Sequence, residues 1–183
     1  TDTCRSLSIP ACLNGITRLK TTKNRWATDG IFPLSPTLDT PGPIARDVKD
    51  TKLIFDTFNG NSDNALKPIQ IKNMSFGKLK EPFTTNLDPQ VMEAYENICD
   101  ELKKLGAKIE EIIIPEANEK ASLFPKIVGS EIISAFGIDR FKKNVDRMDP
   151  ITGNRAKLGL NIHSFEYISA KQRVSELGVV VNQ

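Results

Sequence analysis

Hydrolytic, redox and metal chemistry draw on few residue types, and this chain of 183 residues holds them sparingly: one histidine, His163, and three cysteines, Cys4, Cys12 and Cys99. His163 stands just before a helical pattern, where a general-base role competes with a plain surface or capping role. One histidine cannot form a two-histidine metal site within the chain, and no two cysteines have C-x-x-C spacing. Zinc and thioredoxin-type chemistry are therefore disfavoured, and neither a metal nor a cofactor is expected. Neither G-x-G-x-x-G nor G-x-x-x-x-G-K-[ST] occurs, so dinucleotide and phosphate-loop readings have no support. Cys99 lies on an apolar helical stripe and reads as core, and Trp26, the single tryptophan, reads as packing. What remains is the opening stretch Thr1-Asp2-Thr3-Cys4-Arg5-Ser6-Leu7-Ser8-Ile9-Pro10-Ala11. Serine chemistry needs a base to take the hydroxyl proton and converging N–H donors for the oxyanion. Composition alone does not single out Ser6.

The elements that must position such a residue follow from punctuation and periodicity. Residues 1–46 are irregular, with turn signals at Asn14-Gly15, Asp29-Gly30, Pro33, Pro36 and Pro41-Gly42-Pro43. They read as loops and short strands laid over a scaffold, where sites tend to lie. Asp47 caps a helix carrying Val48, Leu53, Ile54 and Phe58, which Asn59-Gly60 ends, and Asn61 to Lys67 is a polar connector. A weakly patterned strand is expected at Met74–Lys80. Asp88-Pro89 then opens a helix with Val91, Met92, Tyr95, Ile98, Cys99, Leu102 and Leu105 at three- and four-residue spacing, and Gly106 stops it. A β-branched strand at Ala107–Ile114 completes a βαβ rhythm. Residues 121–145 read as helix, with Gly129 and Gly137 weakening it. Asp149–Leu160 reads as a Gly- and Pro-punctuated loop. A last helix is expected over Ser164–Leu177, with Phe165, Ile168, Val174 and Leu177 facing inward.

Composition bounds the class. The counts of 25 Lys+Arg and 23 Asp+Glu leave a net charge of +2, too small a field to favour nucleic acid or acidic membranes. Basic residues are dispersed, with Lys78, Lys80 and Lys103-Lys104 reading as solvated faces, so neither a nucleic-acid nor a membrane partner is expected. Apolar residues make up 39%, enough for a core, and no run approaches the roughly 18 residues of a membrane span. Few cysteines in odd number point to a reducing, cytoplasmic setting. The chain opens without Met in a polar stretch and closes on the strand-like Val179-Val180-Val181. Both ends are expected to be cuts in something longer.

The words around Ser6 and their order carry a resemblance. Thr1-Asp2-Thr3-x-x-Ser6-x-x-Ile9-Pro10-Ala11, then Gly15-Ile16-x-x-Leu19-Lys20, then Asp29-Gly30-Ile31-Phe32-Pro33-Leu34-Ser35-Pro36-Thr37-Leu38-Asp39-x-x-Gly42-Pro43-Ile44-Ala45-Arg46-x-Val48-x-Asp50 resemble the core motif of the amidase signature family. The later Ile162-x-x-Phe165-Glu166-Tyr167-x-x-Ala170-x-x-Arg173-x-x-x-Leu177 is similar to a family helix. The likeness is strong over 1–60 and fainter over 61–183. It implies an α/β fold, a mixed β-sheet flanked by helices, of which 1–183 would be the part from the nucleophile motif onward. It also implies a Ser–cis-Ser–Lys triad with Ser6 as nucleophile, and an oxyanion hole built from backbone N–H groups of Thr3, Cys4, Arg5 and Ser6. The substrate class would be a small-molecule amide.

The resemblance also shows departures. The bridging serine and the lysine base lie upstream of the nucleophile in the family, and Ser6 has five residues before it. The chain standing alone is therefore expected to be inactive, completed by an N-terminal portion or a second chain. Lys20 falls on a structural strand word and is no candidate base. Cys4-Arg5 replace a Gly-Gly pair, and a Cβ costs about 1 kcal/mol or more wherever φ is positive. Ser8 stands where the family has Arg, Arg18 where it has Gly, and Thr21 where it has Pro. A catalytically degenerate binding or assembly homologue is thus the alternative. The A-type component of an amidotransferase ranks below it, because Phe32-Pro33-Leu34-Ser35-Pro36 looks more like the general amidases.

Overall fold

The computed structural model describes residues 1–61 and 68–181, so the polar connector lies outside the described residues after Asn61. The chain divides into two compact units, Thr1–Leu66 with Ser122–Gln183, and Lys67–Ala121.

In the first unit, the opening segment forms α1 (Ser8–Leu13), a short helix where the punctuation predicts loops and strands. Pro10 sits in its first turn, where backbone N–H groups have no intrahelical acceptor, so the missing donor costs nothing there. Gly15, at φ +62°, turns the chain out of it. β1 (Thr17–Arg18) pairs antiparallel with β2 (Ile44–Ala45) in the register Thr17↔Ala45 and Arg18↔Ile44. The word Gly42-Pro43 has a steric cause: a Cβ at Gly42 would stand 2.1 Å from the Leu19 carbonyl oxygen. Only glycine lets the returning chain lie on β1 there.

α2 (Val48–Phe58) begins at Asp47, whose carboxylate accepts the Asp50 N–H at 2.8 Å, and ends at Asn59 before Gly60 at φ +72°. Its buried residues are Thr51 and Asp56, whereas Val48, Leu53 and Phe58 remain exposed. Trp26 packs as expected, its ring centroid 5.8 Å from Phe55 and 4.8 Å from Phe58.

In the second unit, α3 (Pro89–Lys104) joins β3 (Ser75–Leu79) to β4 (Lys108–Ile112), and the two strands pair in parallel. The βαβ rhythm is borne out, with Asp88 accepting the Gln90 N–H at 2.8 Å, Gly106 at φ +88° as the stop, and Cys99 buried. Lys78 is not a solvated face: its side chain is 11% exposed and paired with Glu96.

Back in the first unit, α4 (Lys120–Phe136) and α5 (Ile138–Asn144) replace one long helix, broken at Gly137 with φ +78°. The expected loop at Asp149–Leu160 is instead α6 (Pro150–Lys157) followed by a 3-10 turn, Leu158–Asn161. Asp149 accepts the Thr152 N–H and Pro150 occupies the first turn, the same start signal as Asp88-Pro89. The glycines that suggest a loop are packing positions. A Cβ at Gly153 would stand 3.0 Å from the Val145 carbonyl oxygen, and one at Gly159 would stand 2.1 Å from that of Gly129. Ile132, Ile133, Phe141, Val145 and Ala156 form the buried cluster between these helices, with Phe136 and Met148 against it. α7 (Ser164–Val181) carries the Val179–Val181 run as helix, not strand. Ala170 is its buried residue, while Phe165, Ile168 and Val174, expected inward, are exposed.

The fold is α/β, helix-rich, with two-stranded sheets among the described residues. No single described helix is long and apolar enough to cross a membrane.

Candidate active site

Asp2 organises the opening turn from beneath. It is fully buried and forms a bridge with Thr40, Asp2 N–H to Thr40 O at 2.9 Å and Thr40 N–H to Asp2 O at 3.1 Å. Its carboxylate Oδ2 accepts the Leu7 N–H at 2.9 Å, which ties residue 7 back to residue 2. Oδ1 accepts from Lys20 Nζ at 3.0 Å. Burial pushes the Asp2 carboxyl up, but the Leu7 N–H and the Lys20 ammonium outweigh it and hold the carboxyl below its ordinary value. The Leu19-Lys20 word therefore supplies a counter-ion, and Lys20 is committed to that pair.

Thr3 anchors the other side. Its hydroxyl donates to Asp39 Oδ1, and Asp39 Oδ2 accepts the N–H groups of Leu34 at 2.8 Å and Ser35 at 2.9 Å. Thr3 and Leu7 are buried, Cys4 is half-buried, and Arg5 and Ser6 are exposed. The turn is thus fixed at both feet and open at its crown. Ser6 Oγ has no hydrogen-bond partner among the described residues. The residues that sequence reasoning groups as one site, Thr3, Cys4, Arg5 and Ser6, are brought together as consecutive positions of this turn. Neither Cys4 nor Arg5 has positive φ; among the described residues the non-glycine residues that do are Asn24, Asn73 and Asn86. Neither position therefore carries positive-φ strain.

A second buried carboxylate supports the loop that carries Asp39. Glu131, on α4, accepts from Ser35 Oγ at 2.6 Å, Thr37 N–H at 3.1 Å, Thr37 Oγ1 at 2.7 Å and Tyr167 OH at 2.7 Å. Burial raises the Glu131 carboxyl, yet these four donors outweigh it and hold the group below its ordinary value. Burial and the adjoining carboxylate push the Tyr167 hydroxyl up to about 12. Sequence reasoning quotes Asp2 and Asp39 only as words in a pattern and misses Glu131. Its signal is the one acid of α4, close to the buried Ile127, Ile132 and Ile133.

His163 stands at the start of α7. Its backbone N–H donates to Glu166 Oε2 at 3.1 Å as a helix cap, and its ring stacks on Phe165 with centroids 5.4 Å apart. Among the described residues no group of three or more His, Cys, Asp or Glu could hold a metal ion. Concavities of about 440 and 450 Å³ lie along α4 and α7 and beside α5, and neither is lined by a residue of the Asp2–Leu7 turn.

The lowered carboxyls have a measurable consequence. Asp2 and Glu131 bind protons less readily folded than unfolded, so their stabilisation is full above the ordinary values of 3.8 and 4.5 and is lost as pH falls through the lowered folded values. Urea midpoints are expected to hold from about pH 7 to about pH 5 and to fall below about pH 4. A midpoint unchanged down to about pH 3 contradicts this.

The sequence profile of the Amidase family matches residues 1–175. The 2-amino-5-chloromuconic acid deaminase of Comamonas testosteroni is 30% identical, the match covering 97% of this chain and 39% of that protein. The indoleacetamide hydrolase of Rhizobium radiobacter is 34% identical, over 88% of this chain and 35% of that protein. Both relatives are thus spanned by this chain over about two fifths of their length or less. A crystal structure of an amidase superposes with a TM-score of 0.84 at 24% identity, over 97% of this chain and 40% of the other, which shows the fold. With a profile match across nearly its whole length, this chain belongs to the Amidase family.

Proposed function

We propose that residues 1–183 are the part of an amidase catalytic domain from the nucleophile turn onward, and that Ser6 is the nucleophile for hydrolysis of a carboxamide C–N bond. The observation that supports this is the Asp2–Leu7 turn, fixed at Asp2 and Thr3, free of positive-φ strain at Cys4-Arg5, with Ser6 exposed at its crown. Ser6 Oγ attacks the amide carbonyl carbon while its proton passes to a base. The oxyanion that forms is met by the backbone N–H groups of Thr3, Cys4, Arg5 and Ser6. The C–N bond breaks as the leaving nitrogen takes the proton, and water releases the acyl group from Ser6. By family pattern the bridging serine and the lysine base lie upstream of the nucleophile, on the length of the relatives that this chain does not span. A small-molecule amide is the substrate class, supported by a relative named as an indoleacetamide hydrolase. The cysteine pattern supports a cytoplasmic setting.

The degenerate-homologue reading keeps two supports: Arg5 is exposed at the crown, and Ser8 stands where the family motif has an arginine. The two readings separate on carboxamide hydrolysis by the polypeptide that carries this chain with its upstream portion. Turnover lost on Ser6→Ala supports the nucleophile, turnover unchanged on Ser6→Ala rejects it, and no turnover from the native polypeptide favours the degenerate reading.

A further inference from the structure

We propose that Glu131 is a positioning residue for the Ser6 turn, acting at a distance through the Ser35–Asp39 loop. The path is continuous and hydrogen-bonded. Tyr167 on α7 donates to Glu131 Oε1 at 2.7 Å, and Glu131 Oε2 accepts from Ser35 Oγ at 2.6 Å. The Ser35 N–H donates to Asp39 Oδ2 at 2.9 Å, and Asp39 Oδ1 takes the Thr3 hydroxyl. Ser35 and Asp39 are 0% and 5% exposed and Glu131 is 6% exposed, so water cannot readily substitute for any of these partners. Three hydroxyls and one backbone N–H converge on a single carboxylate. They tie two segments together: Ser35 and Thr37 belong to the loop, Tyr167 to α7. The buried carboxylate thereby sets where Asp39 stands, and Asp39 sets where Thr3 begins the turn. Neither Glu131 nor Tyr167 is near Ser6 in sequence, and neither is given a chemical role.

The experiment is amide hydrogen exchange on the polypeptide that carries residues 1–183, read at Leu7, whose N–H closes the turn on Asp2, and at Phe141, whose N–H bonds to Gly137 O within the helical core. In Glu131→Gln the Leu7 amide is expected to exchange about tenfold faster with Phe141 unchanged. Thr3→Val, which cuts the path at the turn, is expected to do the same, and the double variant to add no more than about twofold beyond either. Tyr167→Phe removes one donor and keeps the rest, so it tests the path with about a two- to threefold effect if Glu131→Gln does not fold. Equal acceleration at Leu7 and Phe141 overturns the proposal, because a merely structural role loosens both. So do additive effects, or no change at Leu7 in a folded variant. The significance for catalysis rests on the reading of Ser6, but the exchange experiment does not. If Ser6 proves unreactive while the two variants are non-additive, the positioning stands and the nucleophile assignment fails.

Discussion

Ser6→Ala is expected to lower kcat for carboxamide hydrolysis by about 10⁴-fold or more, with KM little changed. The size follows from the role. A nucleophile forms the covalent bond on which both halves of the reaction depend, and the residual rate comes only from binding and the oxyanion donors. The effect is expected to fall on kcat alone. Ser6 is exposed and its hydroxyl has no partner among the described residues, so removing it leaves the turn, the Asp2 bonds and the packing of Leu7 in place. Stability is expected to stay within about 0.5 kcal/mol, as for surface substitutions generally. Steady-state kinetics with a urea unfolding curve on the same material checks both halves. A kcat within tenfold of the native value removes Ser6 from the chemistry, and a large stability loss shows that the hydroxyl is structural.

Asp2→Ala is expected to be the costliest single change to the turn itself, at about 2–4 kcal/mol. Its carboxylate is fully buried and meets one N–H and one ammonium, while its backbone is bridged to Thr40. Alanine keeps the bridge and loses both side-chain bonds. The Leu7 N–H is then buried with no acceptor, whereas Lys20, whose side chain is 34% exposed, can turn to water. Most of the cost therefore comes from the orphaned N–H. Asp2→Asn keeps an acceptor for Leu7 and is expected to recover about half of the loss, the remainder belonging to the Lys20 pair. Urea midpoints of the three proteins at neutral pH measure this. A change below about 0.5 kcal/mol for Asp2→Ala shows that the turn is held by something else.

Local signals in the sequence are readable where a single residue decides a backbone event. Asp47 and Asp88-Pro89 open helices, and Gly60, Gly106 and Gly137 end or break them, because capping and positive φ are properties of a few adjacent residues. The same logic applies at Asp149-Pro150, but Gly153 and Gly159 mask it. A glycine admits two readings, a turn or a close approach, and only the neighbours 129 and 145 reveal that these two are close approaches. Apolar periodicity misjudges α7 for a related reason: Phe165, Ile168 and Val174 are exposed, and periodicity finds an apolar face without saying what covers it. The site divides in the same way. The turn at residues 3–6 is contiguous and can be named from its order of residues. Glu131 cannot, since its donors Ser35 and Thr37 stand 96 and 94 positions away in the chain. The absence of positive-φ strain at Cys4 and Arg5 is equally out of reach, because residue type restricts φ without fixing it.

The most direct measurement is to treat the polypeptide that carries these residues and its upstream portion with a serine-directed fluorophosphonate, digest it, and locate the adduct by mass spectrometry. One phosphonate is expected on the peptide containing Ser6, absent in Ser6→Ala. An adduct on any other serine, or amide hydrolysis that proceeds while Ser6 stays unmodified, contradicts it.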